Sequence, residues 1–434
     1  MRVRRGLLLR AAIGALCVGA AATVHAQTSG AAFGLSAGLG HSDNITRVPE
    51  DEIDESFATA GLQLNAAQQG RLSYSALGDL AYVDYLDDTF ESEVVGGFDG
   101  TLTYSFVPDR FTWTVEDTFG QSQINQFRPV TPGNRENVNF LSTGPDFSLP
   151  IGGSRNFVDI GARFSDARYE DSELDNERLG GTLALRRQLT SSSLVALNGQ
   201  ADRIEYDDVA QTEYDVRSAF LRYAVDTART LLSVDAGYTE LEQDGSKSDG
   251  TLFGLNFSRE LSAATRLTAS AGQRYSDASD VFRVLRRRAA LDPQASPTES
   301  TSDAFEYRYA TLGWSFQKNR TSISLAAGLN QERYIEETDR DREYVDYRVE
   351  LGRRLSRTLR ASISARWYEN EFDNVDFDSN DLRLTGAISW RLGARTYLGL
   401  QMNYFDRSSN DPESEFSETR GLLTISYFPR GEQF

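Results

Sequence analysis

Cysteine and histidine are nearly absent from this sequence, and a long apolar run occurs only at its N-terminus. The 434 residues include one Cys and two His, so a disulfide framework and a Cys/His zinc site are both excluded. Beyond residue 27 no run of about 18 apolar residues occurs, which excludes membrane-spanning helices. The formal net charge of −19 argues against nucleic-acid binding. We therefore expect no cofactor, no metal centre and no nucleic-acid partner.

The sequence is instead rich in alternation between apolar and polar residues. In one clear segment the residues of one parity are apolar, namely Val94, Phe98, Leu102, Tyr104 and Phe106. The residues of the other parity are polar, namely Asp99, Thr101, Thr103 and Ser105. Because successive side chains of a strand point to opposite faces, such a strand has one apolar and one polar face. A closed barrel can turn the first face to lipid and the second to a wet lumen.

This alternation recurs along the chain, from a first segment near Ala32 to a last one at 421–428. About ten residues suffice for a tilted strand to cross a bilayer. No shift of composition and no linker divides the sequence. We therefore predict a single all-β domain over residues 27–434. It is a transmembrane antiparallel β-barrel of about twenty strands, with about eighteen as the alternative.

The connections between these segments alternate in length and charge. The long ones are rich in Asp and Glu: Arg47–Glu55, Leu86–Glu93, Tyr169–Glu177, Glu205–Asp215, Glu240–Asp249, Ile335–Glu343, Glu369–Asp381 and Asp406–Glu418. The short ones are turns that carry a base, such as Gln69–Arg71, Pro108–Arg110, Lys318–Arg320 and Gly393–Arg395. Outer-membrane barrels have short periplasmic turns and longer outer loops. The pattern predicts an even number of strands, with both termini periplasmic.

Residues 1–26 have the features of a secretory signal peptide. An apolar core follows a basic start that contains Arg2, Arg4, Arg5 and Arg10. A small-x-small cleavage site ends at Ala26. The adjacent pair Arg4–Arg5 leaves twin-arginine export as an alternative, although a barrel has to cross the inner membrane unfolded. We predict a cleaved signal peptide and a location in the outer membrane of a Gram-negative bacterium.

Aromatic residues near the strand ends indicate the interfacial girdles of a membrane barrel. They include Tyr82, Tyr85, Tyr104, Phe106, Tyr238, Tyr275, Tyr334, Trp367 and Tyr404. The chain ends in Phe434, close behind an aromatic-rich last strand, and a terminal aromatic is the signal that barrel assembly machinery reads. The expected partners are therefore this machinery, outer-membrane lipid and lipopolysaccharide.

The first strand and its exit read Gly38-Leu39-Gly40-His41-Ser42-Asp43-Asn44-Ile45-Thr46-Arg47. This segment resembles the opening of the β-barrel porin 2 family and of related exopolysaccharide-associated outer-membrane β-barrel proteins. There a Gly-rich strand leads into Asp-Asn, an apolar residue and a short polar exit. Here His41-Ser42 replaces the more usual aromatic–acid pair. The resemblance implies a porin linked to a polysaccharide export system, and it brings no catalytic residues with it.

Residues suited to catalysis are scarce. His41 is the one histidine outside the signal segment, and it stands beside Ser42 and Asp43. A hydrolase at the barrel rim would use such a histidine as its base. Neighbours on a strand face opposite ways, however, so His41 and Ser42 are poorly placed to meet. The acidic loops offer oxygen ligands for Ca²⁺, as at Asp373–Asp381, but without the spacing of an EF-hand.

The polar parity supplies candidates for the lumen wall. The pore-lining candidates are Asp99, Glu116, Asp159, Arg163, Arg348, Glu350, Arg360, Arg366, Arg383 and Arg391. An arginine-rich wall opposite an acidic one would orient polar solutes. Arginine also binds carboxylates through two hydrogen bonds, which would suit an acidic polysaccharide. The alternative is that these charges neutralise one another in a wet barrel.

The longest connection, 280–302, departs from the acidic rule of the other long loops. Its basic residues, the candidates for a loop constriction, are Arg283, Arg286, Arg287 and Arg288. Loops of this length usually have a function or lack order. Two hypotheses follow: the loop folds into the lumen as a constriction, or it binds an anionic partner such as lipopolysaccharide.

These features favour a protein that is not an enzyme. We expect a passive channel for small solutes or for surface polysaccharide export, with selectivity set by pore diameter and lining charge. A closed structural or adhesive barrel with acidic surface loops is the alternative. The rim hydrolase that would use His41 is the least favoured of the three.

Overall fold

The computed structural model describes residues 30–208, 213–243, 245–288 and 299–429. The predicted signal segment and the terminal Phe434 lie outside these ranges and stay predictions. None of the helices in the described part of the chain has the length and hydropathy of a membrane-spanning helix. Almost all of the regular structure there is β-strand.

Twenty strands follow one another in the described part of the chain. They are β1 Gly30–Ser42, β2 Glu55–Gln68, β3 Leu72–Tyr85, β4 Glu93–Val107, β5 Phe111–Gln123, β6 Arg135–Pro150, β7 Asn156–Tyr169, β8 Asn176–Thr190, β9 Ser193–Tyr206, β10 Tyr214–Asp226, β11 Thr230–Gln243, β12 Ser246–Ser262, β13 Thr265–Ser276, β14 Phe305–Lys318, β15 Thr321–Tyr334, β16 Arg342–Arg354, β17 Leu359–Phe372, β18 Asp378–Arg391, β19 Thr396–Ser409 and β20 Phe416–Tyr427. The helix α1 is Ala278–Arg288, and three 3₁₀ turns lie at Pro132–Asn134, Thr338–Arg340 and Pro412–Ser414.

Each strand pairs antiparallel with the next one, and the ring closes between the first and the last. The closing ladder runs from Leu35 opposite Tyr427 to Ser42 opposite Arg420. A closed ring leaves no strand edge without a partner, which is the condition for a β structure inside a bilayer. The predicted all-β antiparallel barrel of about twenty strands is therefore confirmed, and the alternative of eighteen is wrong.

The strands are longer than the predicted ten residues or so. They run from 12 residues in β13 to 17 in β12. Several acidic segments that were expected to be loops are strand instead; Glu240–Asp249, for example, forms the ends of β11 and β12 around a tight turn. At about 3.4 Å per residue, such strands exceed the apolar band of about 25 Å even when tilted. Their acidic ends continue the ladder beyond that band.

The two ends of the barrel differ. At the end where β1 begins and β20 ends, the connections are short, as at 69–71, 263–264 and 319–320. We call this the short-turn end and the opposite one the loop end. The three longest connections, 277–304, 43–54 and 124–134, all lie at the loop end.

The outer face of the ring is apolar and the inner face is polar. Large apolar side chains point outward all around the ring, with Leu39 64%, Leu179 66% and Leu329 57% exposed. The adjacent parity carries the charged residues of the lumen, such as Asp235, which is 8% exposed and bonded to Arg222 on the paired strand. A soluble barrel would reverse this arrangement, because it would bury its apolar face.

Most of the predicted girdle residues lie on this outer face, but two do not. Tyr82, Tyr238 and Trp367 are 48%, 49% and 52% exposed. Tyr85 and Tyr334, only 4% and 5% exposed, point into the barrel. Each of these two rings packs inside a buried cluster near the loop end. The prediction was wrong for these two residues because they belong to the set of alternate residues that faces the lumen. A position near a strand end does not reveal which face a side chain is on.

Candidate functional site

Two loops extend across the lumen at the loop end. The β5–β6 loop is 124–134, and the β13–β14 loop is 277–304, of which 277–288 and 299–304 are described. The 43–54 connection is one residue longer than the β5–β6 loop, and every other connection at this end is shorter than both loops. The contacts of the two loops reach strands on the far side of the ring.

The β5–β6 loop reaches the region of β17 to β20. The ring of Phe127 lies 4.7 Å from that of Phe372 on β17 and 5.4 Å from that of Phe377. The hydroxyl of Ser414 donates to the backbone oxygen of Phe127 at 3.1 Å. Arg47, in the first loop, donates to the backbone oxygen of Val130 at 2.6 Å. The loop is therefore held at both sides of the mouth.

The β13–β14 loop enters the lumen as the helix α1. Asp277 caps the helix, since its carboxylate accepts from the backbone N–H of Asp280 at 2.9 Å. Arg178 on β8 forms an ion pair with Asp277. Val281, which is fully buried, packs against Phe305 on β14 and its aromatic neighbours. The beginning of the helix is thus tied to the barrel wall by charge and by apolar contact.

Arg283 extends from α1 towards the opposite wall. Its guanidinium lies 2.5 Å from Asp280 and 4.0 Å from Glu116 on β5. It also lies over the ring of Phe140 on β6, 5.6 Å from the ring centre. The helix contacts β4 and β5 as well. The predicted constriction residue Arg283 therefore lies inside the barrel mouth, while Arg286, Arg287 and Arg288 form the last part of the same helix.

The two loops meet each other across the lumen. Gln123 forms a parallel bridge with Glu299, and the backbone N–H of Ser300 donates to the oxygen of Gln123 at 2.9 Å. The carboxylate of Glu299 pairs with Arg340 at 2.7 Å and accepts from the N–H of Gln126 at 3.4 Å. Together the loops cover the loop end of the barrel, and we refer to them jointly as the inner loops.

The sequence carries a signal for the β5–β6 loop that was missed. Residues 124–134 contain neither Asp nor Glu, whereas the long connections named in the sequence, such as Arg47–Glu55 and Leu86–Glu93, are rich in both. The 280–302 connection departs from the acidic rule in a different way, through its run of arginines. A loop that lies inside the mouth needs fewer charges than a solvated one, because each buried charge requires a partner. The lack of acids is thus a property of the β5–β6 loop alone, since 277–304 contains Asp277, Asp280 and Glu299.

We expect the helix α1 to stay in place in mild acid. Burial alone would raise the pKa of Asp280, but the charges of Arg274, Arg283 and Arg178 outweigh it and hold the pKa well below the ordinary value. A carboxylate of lowered pKa contributes stability above its unfolded pKa and loses it only as the pH falls through the folded one.

Amide hydrogen exchange of residues 278–284 checks this expectation. Protection should remain the same from neutral pH to about pH 5, after correction for the intrinsic rate. Asp280→Asn should reduce it at both pH values. A loss of protection in the wild type between these two pH values would contradict the expectation.

The predicted lumen arginines of β16, β17 and β18 lie close together. Asp346 forms ion pairs with Arg348 at 2.6 Å and with Arg366 at 2.7 Å. Arg383 lies over the ring of Phe405, 5.1 Å from its centre. Further arginines that the prediction omitted continue this wall: Arg342, Arg407 and Arg420. We call the inner surface of β16 to β20 the arginine wall.

The predicted acidic residues lie on a different part of the ring. Asp99 on β4 accepts from the hydroxyl of Thr118 on β5 at 3.4 Å. Glu116 lies on β5, two positions before Thr118 and on the same inner face. This acidic surface and the arginine wall are separated by strands on both sides of the ring.

The two predicted residues of β7 are each engaged with a neighbouring strand. Asp159 pairs with Arg186 on β8 at 2.6 Å, and Arg163 pairs with Asp146 on β6 at 2.7 Å. These pairs neutralise one another locally, as the alternative hypothesis expected for the whole lumen. Glu350, Arg360 and Arg391 lie nearer the short-turn end on strands of the arginine wall.

Below the inner loops the lumen contains a large cavity. Its volume is about 880 Å³, and its lining extends from the turn at Ser191–Ser193 to Tyr309, Arg348 and Arg366. A second cavity of about 710 Å³ lies along the inner faces of β5 to β10. Side chains alone do not fill a barrel of this width. The space between the short-turn end and the inner loops is therefore large enough for a solute.

The rim residues considered for catalysis are not assembled into one site. His41 is exposed on the outer face, where its Nδ1 lies 3.2 Å from the hydroxyl of Ser56. Ser42 is buried on the inner face and donates to Glu418 at 2.6 Å. Within the described ranges, no group of three or more His, Cys, Asp or Glu residues is placed to hold a metal ion. In the 373–381 segment, Asp373 pairs with Arg333 and Asp381 with Arg407.

No protein-family model and no curated protein matches this chain. It is similar to the solved structure of the siderophore receptor PirA from Pseudomonas aeruginosa, at 12% identity over 93% of this chain and 81% of that chain, with a TM-score of 0.46. It is also similar to a mutant of the ferric enterobactin receptor PfeA from the same species, at 10% identity over 91% of this chain and 80% of that chain, with a TM-score of 0.45. The similarity to the FrpB iron transporter from Neisseria meningitidis (F3-3 variant) is 9% identity over 92% of this chain and 81% of that chain, with a TM-score of 0.44. Likenesses of this degree carry no argument about function.

Proposed function

We propose that this protein is a transport barrel of the Gram-negative outer membrane, through which small polar solutes diffuse passively. The observation that carries the proposal is the inversion of polarity around a closed ring. Apolar side chains as exposed as Leu39 and Leu179 face outward, and charged residues face inward. A bilayer is the surrounding that stabilises such an outer surface.

The lumen supports diffusion and requires no chemical step. Its walls carry charges of both signs, and a cavity of about 880 Å³ lies below the inner loops. Selectivity would come from the width at the inner loops and from the lining charge. A role in surface polysaccharide export rests on the resemblance of residues 38–47 to exopolysaccharide-associated barrels. The barrel assembly machinery, membrane lipid and lipopolysaccharide are the partners that such a location implies.

A closed structural or adhesive barrel is the second candidate, and the inner loops are the observation in its favour. They meet at Gln126 and Glu299 and lie across the loop end. Conductance of the purified protein in planar lipid bilayers separates the two functions. A transport barrel gives discrete current steps, whereas a closed barrel gives none. The absence of any current, both in the wild type and after removal of an inner loop, would refute the transport proposal.

We expect the arginine wall to make the channel prefer anions. Arg383→Gln removes a positive charge from this wall and should lower the ratio of anion to cation permeability, because an ion in a narrow lumen feels the lining charge. Asp99→Asn removes a negative charge from the acidic surface and is the matched counterpart. It should raise the same ratio. Reversal potentials in a salt gradient give the ratio, and shifts of the same sign in both variants would contradict the expectation.

A further inference from the structure

A small pocket lies between the β5–β6 loop and the arginine wall. Its volume is about 100 Å³, and its lining includes Gln126 and Val130 from the loop together with residues of β16 to β20. Such a volume admits an anionic group or a few water molecules and excludes an oligosaccharide. We call it the arginine pocket.

Five arginines line the arginine pocket: Arg47, Arg342, Arg366, Arg383 and Arg407. Its acidic lining residues are Asp381 and Asp406. Both oxygens of Asp381 are bound by Arg407, at 2.7 and 2.9 Å. The carboxylate of Asp406 accepts a hydrogen bond from the hydroxyl of Tyr404, and the Tyr404 side chain lies on the outer face. The carboxylates Glu418, Glu332 and Asp346, which pair with three of the arginines, are not part of the lining. The surface of the pocket therefore presents more guanidinium groups than carboxylates.

Buried polar atoms without a hydrogen-bond partner border this pocket. Neither amide atom of the Gln126 side chain has a partner, and the residue is only 3% exposed. The same holds for Oδ1 of Asn370, which is 4% exposed, and for Nη1 of Arg407, which is 8% exposed. A buried polar atom is costly without a partner, so such a group of atoms indicates that something polar completes them. Here the group includes both donors and acceptors.

The composition of the lining indicates what that ligand is. Guanidinium groups bind the two oxygens of a carboxylate, and side-chain amides can donate to and accept from hydroxyl groups. The rings of Tyr368 and Phe405 add apolar faces to the same pocket. A group that presents a carboxylate next to hydroxyls and an apolar ring face meets all three features, and an acidic sugar has this chemistry.

We propose that the arginine pocket binds the carboxylate end of an acidic sugar that enters the barrel. Gln126 and Asn370 bind the adjacent hydroxyls, and Arg383 and Arg407 bind the carboxylate. The inference deepens the proposed transport function, on which it rests, and names the solute class that the lumen takes. It assigns the β5–β6 loop a role in binding, because that loop provides Gln126.

Calorimetric titration of the full barrel in lipid nanodiscs tests the proposal. The probes are glucuronate, glucose and inorganic phosphate. Glucuronate should bind, glucose should not, and phosphate should bind about tenfold more weakly than glucuronate, because it lacks the ring and hydroxyls. Binding of phosphate as tightly as glucuronate, or no binding of glucuronate at all, would overturn the assignment to an acidic sugar.

Two variants locate the site. Gln126→Leu keeps the size of the side chain and removes the amide without a change of charge, and it should weaken glucuronate binding about tenfold. Arg383→Gln should weaken it by at least as much. The control is Gln200→Leu, on β9, where the amide lies in the lumen and donates to Asp202 at 2.7 Å. It should leave binding unchanged. Equal affinity of Gln126→Leu, Arg383→Gln and the wild type would show that the sugar binds elsewhere.

Conductance of the same samples keeps this inference separable from the proposed function. Glucuronate binding that Gln126→Leu weakens, in a barrel that gives no current either with or without an inner loop, would support the pocket and refute the transport proposal. Conductance without glucuronate binding would support the transport proposal and refute the pocket. Thermal unfolding of Gln126→Leu serves as the folding control, and we expect it to match the wild type or to occur at a higher temperature, because a buried amide without a partner is removed.

Discussion

Replacement of the β13–β14 loop by a tight turn is expected to raise the single-channel conductance severalfold. Ser276 and Phe305 are paired across β13 and β14, so a two-residue Asn-Gly turn in place of 277–304 can close the hairpin directly. The change removes α1 and the loop's half of the contact between Gln123 and Glu299. It leaves the ladders of the barrel intact, because none of the twenty strands is shortened.

The physical reason for this increase is the width of the mouth. In the wild type, Arg283 reaches Glu116 and Phe140 on the other side of the lumen, so a solute at the loop end meets protein rather than water. Without the loop, the remaining obstruction is the β5–β6 loop. Ionic current through a pore depends on its narrowest cross-section and on the charges around it. Current steps in planar bilayers measure the effect.

A shortened 170–175 connection is the matched control. This connection lies at the same end and packs on the rim, where the hydroxyl of Ser172 donates to Glu136 at 2.6 Å. Its removal should leave the conductance near the wild-type value. If replacement of 277–304 changes the current no more than this control does, the hypothesis of a loop constriction is wrong.

Loss of the Glu418 carboxylate is expected to be the most destabilising single substitution at the closure of the barrel. Glu418 on β20 is 1% exposed and pairs with Arg47 at 2.8 Å. It also accepts from Ser42 on β1 at 2.6 Å, so one carboxylate connects the last strand to the first. In Glu418→Gln the guanidinium of Arg47 stays buried without its anion. Such a break of a buried ion pair costs about 3–5 kcal/mol of unfolding free energy.

The lowered pKa of the Arg47 guanidinium supports this expectation. Burial lowers the pKa of Arg47 to about 10, and it does so despite the opposing attraction of Glu418. The charged form is therefore already disfavoured at its site, and removal of the anion disfavours it further. The rings of Phe405 and Phe416, at 4.5 and 5.1 Å from the guanidinium carbon, compensate only in part.

Unfolding in urea, measured in lipid vesicles, gives the free energy of unfolding for the comparison. The control is Glu413→Gln, which makes the same chemical change on an exposed residue of the 410–415 connection. It should change the unfolding free energy by less than about 0.5 kcal/mol. A loss below about 1 kcal/mol in Glu418→Gln would mean that water reaches Arg47 and that the pair is screened.

The strands could be predicted because the alternation of apolar and polar residues that indicates a strand involves only residues close together in the sequence. The alternation at 94–106 shows which residues of β4 face lipid and which face the lumen, and the register with β3 and β5 agrees with it. The boundaries of the strands were less accessible. An acidic segment such as 240–249 alternates poorly in hydropathy, yet it extends the ladder between β11 and β12. Backbone hydrogen bonds maintain a strand there where apolar contact does not.

The contacts of the inner loops could not be predicted from the sequence. Gln126 carries no sign that both of its amide atoms will be buried beside Arg407 and Asn370. These residues are far apart in sequence and meet only because the ring brings β5 and β17 to β19 to opposite sides of one lumen. The lack of acids in 124–134 marks the loop as unusual. It does not say where the loop goes.

What the sequence by itself determined is the class of structure: a closed antiparallel barrel with an apolar outer face and a charged lumen. The reason is that a period of two residues and a sorting of loops by length and charge are properties of neighbouring residues. Only the tertiary structure decided that two loops cover the loop end and that five arginines surround one small pocket. These features depend on which strands stand opposite each other once the ring is closed, and no local pattern encodes that.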